Sequence, residues 1–433
     1  MPRRLHRNDD SFLSDFHALL AAREAGGGQV REAVEAIIAD VCQRDDAAVV
    51  DYTEQFDKVT LKPGKLALLA EDRQRYAEQC PNEVREALEM AAERIRVFHE
   101  TQKPQDQHFT DADGVKLGVR WQAMTDVGLY VPGGKASYPS SVLMNAIPAK
   151  VAGVERLVMV VPTPQGEVNA AVMAAAEIAG VDEVYPIGGA QAVAALAYGT
   201  ESIRPVHQIV GPGNAYVAEA KRQVYGKVGI DMIAGPSEIL VVADGAQNPE
   251  WIAADLLSQA EHDTLAQSIL ITDDASFADA VAHQVEKILP TLSKQAIAEE
   301  SWANHGAIIV VESLDNQAPN LINQIAPEHL ELAMADPQSL MPRIRHAGAI
   351  FLGSHTPEAI GDYVAGPSHV LPTYQTARFA SALSVTDFMK RSSLIDCSPE
   401  AFARIAPAAE TLAHAEGLLA HALSLSVRRN AKP

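Results

Sequence analysis

The sequence predicts an α/β protein with two Rossmann-like doubly wound domains that contain parallel sheets, plus a helical N-terminal segment and a C-terminal helical arm. Its 433 residues are more than one ordinary hydrophobic core holds, so two or more domains are expected. From Val127 onward, short runs rich in valine and isoleucine alternate with stretches of helical periodicity. Because this alternation is typical of parallel sheets with crossover helices, it predicts the fold class.

The predicted strands and helices fall into two blocks that meet near 234–237. In the first block we predict strands at 156–162, 183–187 and 208–210, and helices at 168–179, 190–198 and 214–225. In the second block we predict strands at 238–242, 268–272, 307–311, 329–333 and 349–353, and helices at 249–261, 275–289 and 317–324.

The two ends of the chain have mainly helical periodicity. Helices are predicted at 11–25, 29–56 and 82–99, with a first strand at 115–121, and the tail at 399–429 predicts one or two alanine-rich helices. The predicted division is a helical segment at 1–25, a first α/β domain made of 26–127 and 237–380, a second at 128–236, and an arm at 381–433. A terminal amphipathic arm often packs on another subunit, so we expect a homodimer.

Composition and charge exclude several classes of function. With 56 acidic and 35 basic residues, the formal charge of −21 repels nucleic-acid backbones and favours a cationic small molecule. Cys42, Cys80 and Cys397 have no CxxC spacing, which fits a reducing cytosol. The basic start is followed by Asn8-Asp9-Asp10 instead of an apolar region, and no run reaches the roughly 18 apolar residues of a membrane span. We therefore expect a cytoplasmic protein without a membrane partner.

Three glycine-rich joints, at 128–135, 188–191 and 211–214, each follow a predicted strand and open a helix. Backbone amides at such joints can hold a phosphate, which indicates a nucleotide or another anion. Neither GxGxxG nor a P-loop is present, and tight turns use glycine in any case, so both interpretations stay open.

A carboxylate and an imidazole stand side by side at Glu328 and His329, just after Pro327. Pro327 is expected to hold Ala326 extended, which places the pair at the mouth of a strand. Neighbouring residues of a strand point to opposite sides, so one pocket can use both only if the backbone bends there. The alternative is a capping glutamate beside a half-buried histidine.

Metal ligands are available in the second block. Gln259 and His262 are three residues apart near a helix end and share one face, and Asp362 and His421 are further oxygen and nitrogen donors. Zinc, cobalt or manganese suits such ligands, although a Gln-x-x-His pair also occurs on ordinary exposed helices. His369 is interpreted as a loop residue.

Several motifs, in this order and spacing, resemble the histidinol dehydrogenase family over nearly the whole chain. They are Gly128-Leu129-Tyr130-Val131-Pro132-Gly133-Gly134, Tyr138-Pro139-Ser140-Ser141-Val142-Leu143-Met144-Asn145, Gly211-Pro212-Gly213-Asn214, Ala234-Gly235-Pro236-Ser237-Glu238, Leu257-Ser258-Gln259-Ala260-Glu261-His262, Pro327-Glu328-His329-Leu330 and His369-Val370-Leu371-Pro372-Thr373.

The resemblance implies zinc-dependent, NAD-linked oxidation of L-histidinol to L-histidine through the aldehyde, with two successive hydride transfers, as the last step of histidine biosynthesis. It implies Glu328 and His329 as the acid-base pair. It also implies residues for three binding roles, namely Gln259, His262, Asp362 and His421 for zinc, Ser237, Gln259, His262, His329, Asp362, Glu416 and His421 for the substrate, and Tyr130, Gln191 and Asn214 for NAD. In the family the arm crosses to the partner chain, which implies that Glu416 and His421 complete the other subunit's site.

The chemistry of the residues leaves three alternatives. A zinc and NAD dehydrogenase of the same fold could oxidise another polar alcohol such as a sulfonated diol, although Glu416 would repel a sulfonate. A zinc hydrolase could use Glu328 and His329 on an ester or amide. A non-catalytic binding protein is the most distant alternative.

Overall fold

The computed structural model describes residues 2–21, 28–133 and 138–430. The strands are β1 (Arg3–His6), β2 (Gln107–Thr110), β3 (Lys116–Ala123), β4 (Asp126–Tyr130), β5 (Arg156–Val160), β6 (Glu183–Tyr185), β7 (Gln208–Val210), β8 (Gly229–Ile230), β9 (Glu238–Ala243), β10 (Gln267–Thr272), β11 (Ala307–Val310), β12 (His329–Ala333), β13 (Ala349–Leu352) and β14 (Met389–Asp396).

The helices connect these strands and cover both faces of the sheets. They are α1 (Phe12–Ala21), α2 (Gly28–Arg44), α3 (Asp46–Asp57), α4 (Ala70–Ala77), α5 (Asn82–Glu100), α6 (Pro139–Ala152), α7 (Ala170–Ala179), α8 (Gly189–Tyr198), α9 (Ala215–Val224), α10 (Pro249–Ala260), α11 (Ala275–Ile288), α12 (Gln295–His305), α13 (Leu314–Ile325), α14 (Glu358–Tyr363), α15 (Pro399–Ala415) and α16 (Leu419–Arg429). In the part of the chain that the structure describes, we find no helix with the length and apolarity that a membrane span requires.

Two all-parallel sheets confirm the predicted fold class. The first sheet has the order β1-β11-β10-β9-β12-β13 and the second has the order β6-β5-β4-β7-β8. Without β1, each sheet has the same order when its strands are numbered along the chain, namely third, second, first, fourth and fifth. This is the order of doubly wound dinucleotide-binding folds, in which the connections reverse between the first and fourth strands. The reversal falls between β9 and β12 in the first sheet and between β4 and β7 in the second.

Two strands lie in segments that were predicted to be helical. β1 pairs with β11 at the edge of the first sheet, although its sequence RRLH buries only Leu5. β14 pairs along its whole length with β3, which also pairs with β2 in a small antiparallel sheet. Short or exposed edge strands carry no hydrophobic alternation, so sequence periodicity misses them.

The helices between 28 and 100 pack around the second sheet, whereas the predicted division grouped them with the first. The buried residues of α2 and α3 share a hydrophobic core with those of α8 and α9, and those of α5 share another with α6 and α7. Periodicity shows that a helix has an apolar face but not which sheet that face covers.

Ala326, which ends α13, differs from its predicted extended conformation. Its φ of 46° and ψ of 61° are left-handed, and its N–H donates to the Ile322 carbonyl at 2.7 Å. A helix that ends in a left-handed residue has its last carbonyls satisfied, and this outweighs the restriction that Pro327 imposes. The chain therefore turns sharply from α13 into Glu328 and β12.

Candidate active site

The polar cluster lies at the amino-terminal edge of the first sheet, on the two strands where the connections reverse. Glu238 begins β9 and His329 begins β12, and His329 lies beside Ile239 on one side and Ala349, the first residue of β13, on the other. Ligands of doubly wound folds usually bind at the opposite, carboxyl-terminal edge. The helices after the strands run back across the sheet, so residues near their ends return to the amino-terminal edge.

The side chains of Glu328 and His329 lie close together in the protein interior. The backbone bends at Glu328, one residue before β12 begins, and the carboxylate Oε2 lies 3.6 Å from His329 Nδ1. The Glu328 Oε2 atom accepts a hydrogen bond from the Glu238 N–H at 2.8 Å. Burial raises the pKa of Glu328 well above its ordinary value. The bend overcomes the strand alternation that would otherwise have separated these two side chains.

The hydrogen bonds of His329 fix which ring nitrogen is free. Nδ1 lies 3.0 Å from the Glu238 carbonyl, which can only accept, so Nδ1 carries the proton. Nε2 is buried, has no hydrogen-bond partner among the described residues, and lies 3.8 Å from Asp362 Oδ1. Burial lowers the pKa of His329 to about 4, which keeps the imidazole neutral at physiological pH. His329 therefore presents a basic nitrogen to the pocket.

Asp362 lies beside this nitrogen, its charge also acts on the His262 imidazole, and Gln259 precedes His262 by three residues at the end of α10. Gln259 is fully buried, and neither its Oε1 nor its Nε2 has a hydrogen-bond partner in the described chain. Burial lowers the pKa of His262, against the opposing effect of the Asp362 charge. A buried amide without partners costs free energy unless something else binds it. These oxygen and nitrogen donors therefore fit a metal ion such as zinc.

Three carboxyl groups, those of the buried Glu331 and Glu358 and of the half-buried Asp255, lie on the same elements as these donors and His329. Asp255 precedes Gln259 by four residues on α10, Glu358 precedes Asp362 by four on α14, and Glu331 follows His329 by two on β12, so each element presents two polar side chains on one face. We call Asp255, Glu331 and Glu358 the carboxyl layer.

The carboxyl layer has strongly shifted pKa values. Asp255 and Glu331 share a hydrogen bond, and burial raises the pKa of Asp255 to about 6 and that of Glu331 to about 9. Burial also raises the pKa of Glu358 well above its ordinary value, and neither carboxylate oxygen of Glu358 has a hydrogen-bond partner among the described residues. Glu358 Oε1 lies 3.2 Å from His329 Nδ1. Among the described histidine, cysteine, aspartate and glutamate residues, His329, Glu358 and Asp362 form the group whose possible ligand atoms all lie within 4.8 Å of one another.

Sequence reasoning missed the carboxyl layer, although a signal for it existed. Each member stands at helix or strand spacing from a residue that was already a candidate. Burying a carboxylate in an otherwise apolar helix or strand costs free energy, so a carboxylate at such a position indicates a functional site.

His369 lies in a loop, as predicted, and it also contacts the site. Its Nδ1 donates to the Asp362 backbone carbonyl at 2.9 Å, and its Nε2 lies 3.2 Å from Ser141 Oγ on α6. Because α6 follows β4 of the second sheet, His369 links the polar cluster to the carboxyl-terminal edge of that sheet.

Two predicted site residues make no hydrogen bond or ion pair with this cluster among the described residues. Glu416 and His421 are exposed on the arm, where Arg404 of α15 donates to the Asp113 carbonyl beside β3. Ser237 is half-buried immediately before β9, and its carbonyl accepts from Gln267 N–H at 3.0 Å.

The residues predicted to bind NAD lie at the carboxyl-terminal edge of the second sheet. Tyr130 ends β4, and its hydroxyl accepts from Gly189 N–H at 3.1 Å. Gln191 is buried, and its Oε1 has no partner in the described ranges. The exposed Asn214 caps α9 by accepting from Tyr216 and Val217 N–H at 3.0 and 3.2 Å. Some helix-terminal amides are thus already occupied, and 134–137 of the first joint lie outside the described residues.

A buried ion pair supports the third glycine joint. Lys221 Nζ contacts Asp231 Oδ1 and donates to the Gly211 carbonyl at 2.9 Å, and Asp231 Oδ2 accepts from the Gly211 N–H at 2.8 Å. A β-carbon at Gly211 would lie 2.1 Å from the Tyr130 carbonyl oxygen, so the joint lies directly against β4. This geometry holds the joint at the point where the strand order reverses.

The fold defines an α/β protein of the doubly wound, dinucleotide-binding class. The family model "Histidinol dehydrogenase" matches residues 21–429, and the chain therefore belongs to the histidinol dehydrogenase family. Histidinol dehydrogenase of Rhodospirillum rubrum is 61% identical over 430 residues, which cover 99% of both chains, and that of Ruegeria pomeroyi is 59% identical over 428 residues, also 99% of both. The crystal structure of histidinol dehydrogenase from Elizabethkingia anophelis, 34% identical, superposes with a TM-score of 0.94 over 99% of this chain and 98% of that one.

Proposed function

We propose that this protein catalyses the last step of histidine biosynthesis, the zinc-dependent oxidation of L-histidinol to L-histidine through L-histidinal, with two hydrides transferred in succession to NAD⁺. The observation that carries this proposal is the neutral His329, whose unpartnered Nε2 faces Asp362 in a buried pocket. A base of this kind suits removal of the proton from an alcohol.

Gln259, His262 and Asp362 would hold zinc together with His421 of the partner subunit. Zinc is not oxidised or reduced in proteins, so it would supply charge and orientation that fix the substrate during hydride transfer. The unpartnered amide of Gln259 and the buried imidazole of His262 support this assignment.

In the first oxidation, His329 Nε2 takes the hydroxyl proton while the hydrogen on the carbinol carbon leaves as hydride. The Nδ1–H bond to the Glu238 carbonyl keeps the ring in the tautomer that this step needs. His369 connects Asp362 to α6, and it would thereby hold the polar cluster in a fixed position relative to the cofactor on the second sheet.

The second oxidation needs an oxygen atom, and Glu328 would activate water for it. The raised pKa of Glu328 shifts formation of its carboxylate to higher pH; as the carboxylate it would take a proton while water adds to the aldehyde, and the resulting hydrate would lose its second hydride to NAD⁺. A thiohemiacetal route would need a cysteine nucleophile. Cys42 lies on α2, Cys80 follows α4 and Cys397 follows β14, and none of these elements contributes a residue to the polar cluster.

NAD would bind at the carboxyl-terminal edge of the second sheet, in contact with Tyr130, Gln191 and Asn214. The reversal of strand order between β4 and β7 supports this location. A cavity of about 310 Å³ at the ends of β4 and β5, lined by Gly133 and Pro162 among others, offers space for part of a dinucleotide. The free Gln191 Oε1 fits a hydrogen-bond donor of the cofactor.

The working enzyme would be a cytoplasmic homodimer with shared sites. Glu416 and His421 are exposed on the arm and make no hydrogen bond or ion pair with their own chain's cluster among the described residues, which is expected if they complete the partner's site. Glu416 would pair with the substrate ammonium, whereas it would repel the sulfonate of a sulfonated diol.

NADH formation, followed by absorbance, tests the proposal with a panel of alcohols in the presence and absence of a chelator. We expect about two NADH per histidinol consumed, with activity lost on chelation and restored by zinc. Activity confined to a sulfonated diol would replace the substrate. Ester or amide hydrolysis without NADH formation would reject the dehydrogenase altogether.

A further inference from the structure

Glu238, the first residue of β9, contacts both members of the acid-base pair through its backbone. Its N–H donates to Glu328 Oε2 at 2.8 Å, and its carbonyl accepts from His329 Nδ1 at 3.0 Å. One residue thus holds the carboxyl group proposed to activate water and the imidazole proposed to take the alcohol proton. The position of the Glu238 backbone therefore sets the position of both groups.

The side chain of Glu238 is anchored on a distant part of the chain. It is buried, and its Oε1 accepts from the Tyr374 N–H at 3.0 Å. Tyr374 has a left-handed φ of 52°, which costs free energy in a residue other than glycine, so the surrounding contacts must hold it in this conformation. The oxygen of a protonated carboxyl group or of an amide also accepts such a bond, so the anchor does not depend on the charge of Glu238.

The segment 373–374 also holds the connection between the two sheets. Thr373 Oγ1 accepts from the Gly235 N–H at 2.7 Å, and a β-carbon at Gly235 would overlap the ring of Tyr374, so this ring lies directly against the glycine. Gly235 lies between β8 of the second sheet and β9 of the first. The start of β9 is therefore fixed by two hydrogen bonds to one segment, at Gly235 and at Glu238.

We propose that Glu238 is a positioning residue for both Glu328 and His329: the bond of its side chain to Tyr374 fixes the peptide groups that hold the acid-base pair. Glu238 gains and loses no proton in either oxidation. A shift of its backbone would move the carboxyl group and the imidazole together, and a misplacement of about 1 Å can cost roughly 10²-fold in rate. Loss of the anchor should therefore slow both oxidations.

This inference rests on the proposed function, since it assigns Glu238 to the histidinol reaction. Glu238→Ala removes the acceptor of the Tyr374 N–H, whereas Glu238→Gln keeps an oxygen that can accept it. The matched control is Asp244→Ala, at the opposite end of β9. The Asp244 carboxylate accepts from the Ala335 N–H at 2.9 Å, so the control removes the same kind of bond away from the site.

We expect Glu238→Ala to lower kcat by about 10–10²-fold with histidinol and by a similar factor with added histidinal. KM for histidinol and the zinc content should stay close to wild-type values. Glu238→Gln should restore most of both rates, and Asp244→Ala should change neither. A merely structural role would lower Tm and the amount of folded enzyme without lowering kcat per folded active site.

Five results would overturn the assignment. If Glu238→Ala slows only one of the two oxidations, Glu238 does not position both groups, and unchanged kcat would leave it without a part in the reaction. Raised KM with unchanged kcat would make it a substrate contact, and loss of zinc would make it part of the metal site. A Glu238→Gln variant as slow as Glu238→Ala would show that the bond to Tyr374 is not the cause.

If Glu238→Ala does not fold, as judged by circular dichroism, Thr373→Val and Thr373→Ser decide. Thr373→Val removes the acceptor of the Gly235 N–H and should slow both oxidations, whereas Thr373→Ser keeps it and should not. Wild-type rates in Thr373→Val would then reject the proposal. A wild-type enzyme that forms no NADH from histidinol would reject the proposed function, and this inference with it, before any variant is compared.

Discussion

At the scale of single residues, Nδ1 of His329 is hydrogen-bonded to the Glu238 carbonyl, whereas Nε2 has no partner among the described residues. Replacing it in His329→Asn removes the free base but keeps a side chain that can donate to the Glu238 carbonyl. We expect turnover to fall by about 10²–10⁴-fold while zinc stays bound. The measurement is NADH formation beside metal analysis, with the exposed His283→Asn on α11 as control. Near-normal turnover would remove His329 from the chemistry.

Glu328 is tested through the second half of the reaction. In Glu328→Gln the amide oxygen can still accept from the Glu238 N–H, so the local fold should persist. We expect slower conversion of added histidinal to histidine, because the amide cannot take a proton from water. Oxidation of histidinol in the presence of an aldehyde trap should be much less affected. An unchanged rate with histidinal would contradict the assignment of Glu328 to water activation.

Glu331 makes stability depend on pH. Burial raises its pKa from an ordinary value of 4.5 to about 9, so the folded state binds this proton more tightly than the unfolded chain does. The stabilisation is complete below pH 4.5 and is lost as the pH rises toward 9. In urea unfolding between pH 5 and 9, the free energy of unfolding of Glu331→Gln should therefore rise relative to that of wild type as the pH rises. Parallel pH profiles for the two proteins would show that Glu331 is not buried in this way.

At the scale of elements, the ion pair between Lys221 of α9 and Asp231 supports the glycine joint after β7. In Lys221→Met the Asp231 carboxylate would remain buried without its partner, so we expect a loss of about 3–5 kcal/mol in the free energy of unfolding. If the joint binds NAD, KM for NAD⁺ should rise more than KM for histidinol. The control is the exposed Lys287→Met on α11. Equal unfolding free energies for the two variants would contradict the structural part of this prediction.

At the scale of the whole molecule, sharing of sites between subunits predicts complementation. A His421→Ala homodimer and a Glu328→Gln homodimer should each be nearly inactive. After unfolding and refolding together, each mixed dimer would contain one site with both substitutions and one intact site. Random assortment should then restore roughly a quarter of wild-type turnover. If the mixture stays inactive although mixed dimers form, Glu416 and His421 do not cross to the partner.

The sequence alone determined the α/β class and the candidates Gln259, His262, Glu328, His329 and Asp362. Valine-rich runs, glycine joints and the order of the motifs are local features, so they could be recognised before the fold was known. The motifs also predicted the histidinol dehydrogenase family, which the comparisons confirmed. The roles of the individual residues stay predictions.

Tertiary structure decided which side chains meet. β1 and β14 are strands only because a neighbouring edge pairs with them, and the helices from 28 to 100 cover the second sheet because its faces offered the matching apolar surface. The side chains of Glu328 and His329 lie close together because the chain bends after a left-handed Ala326. Glu358 reaches His329 because α14 runs back across the sheet. Each outcome depends on residues far apart in the chain, and local sequence spacing does not contain that information.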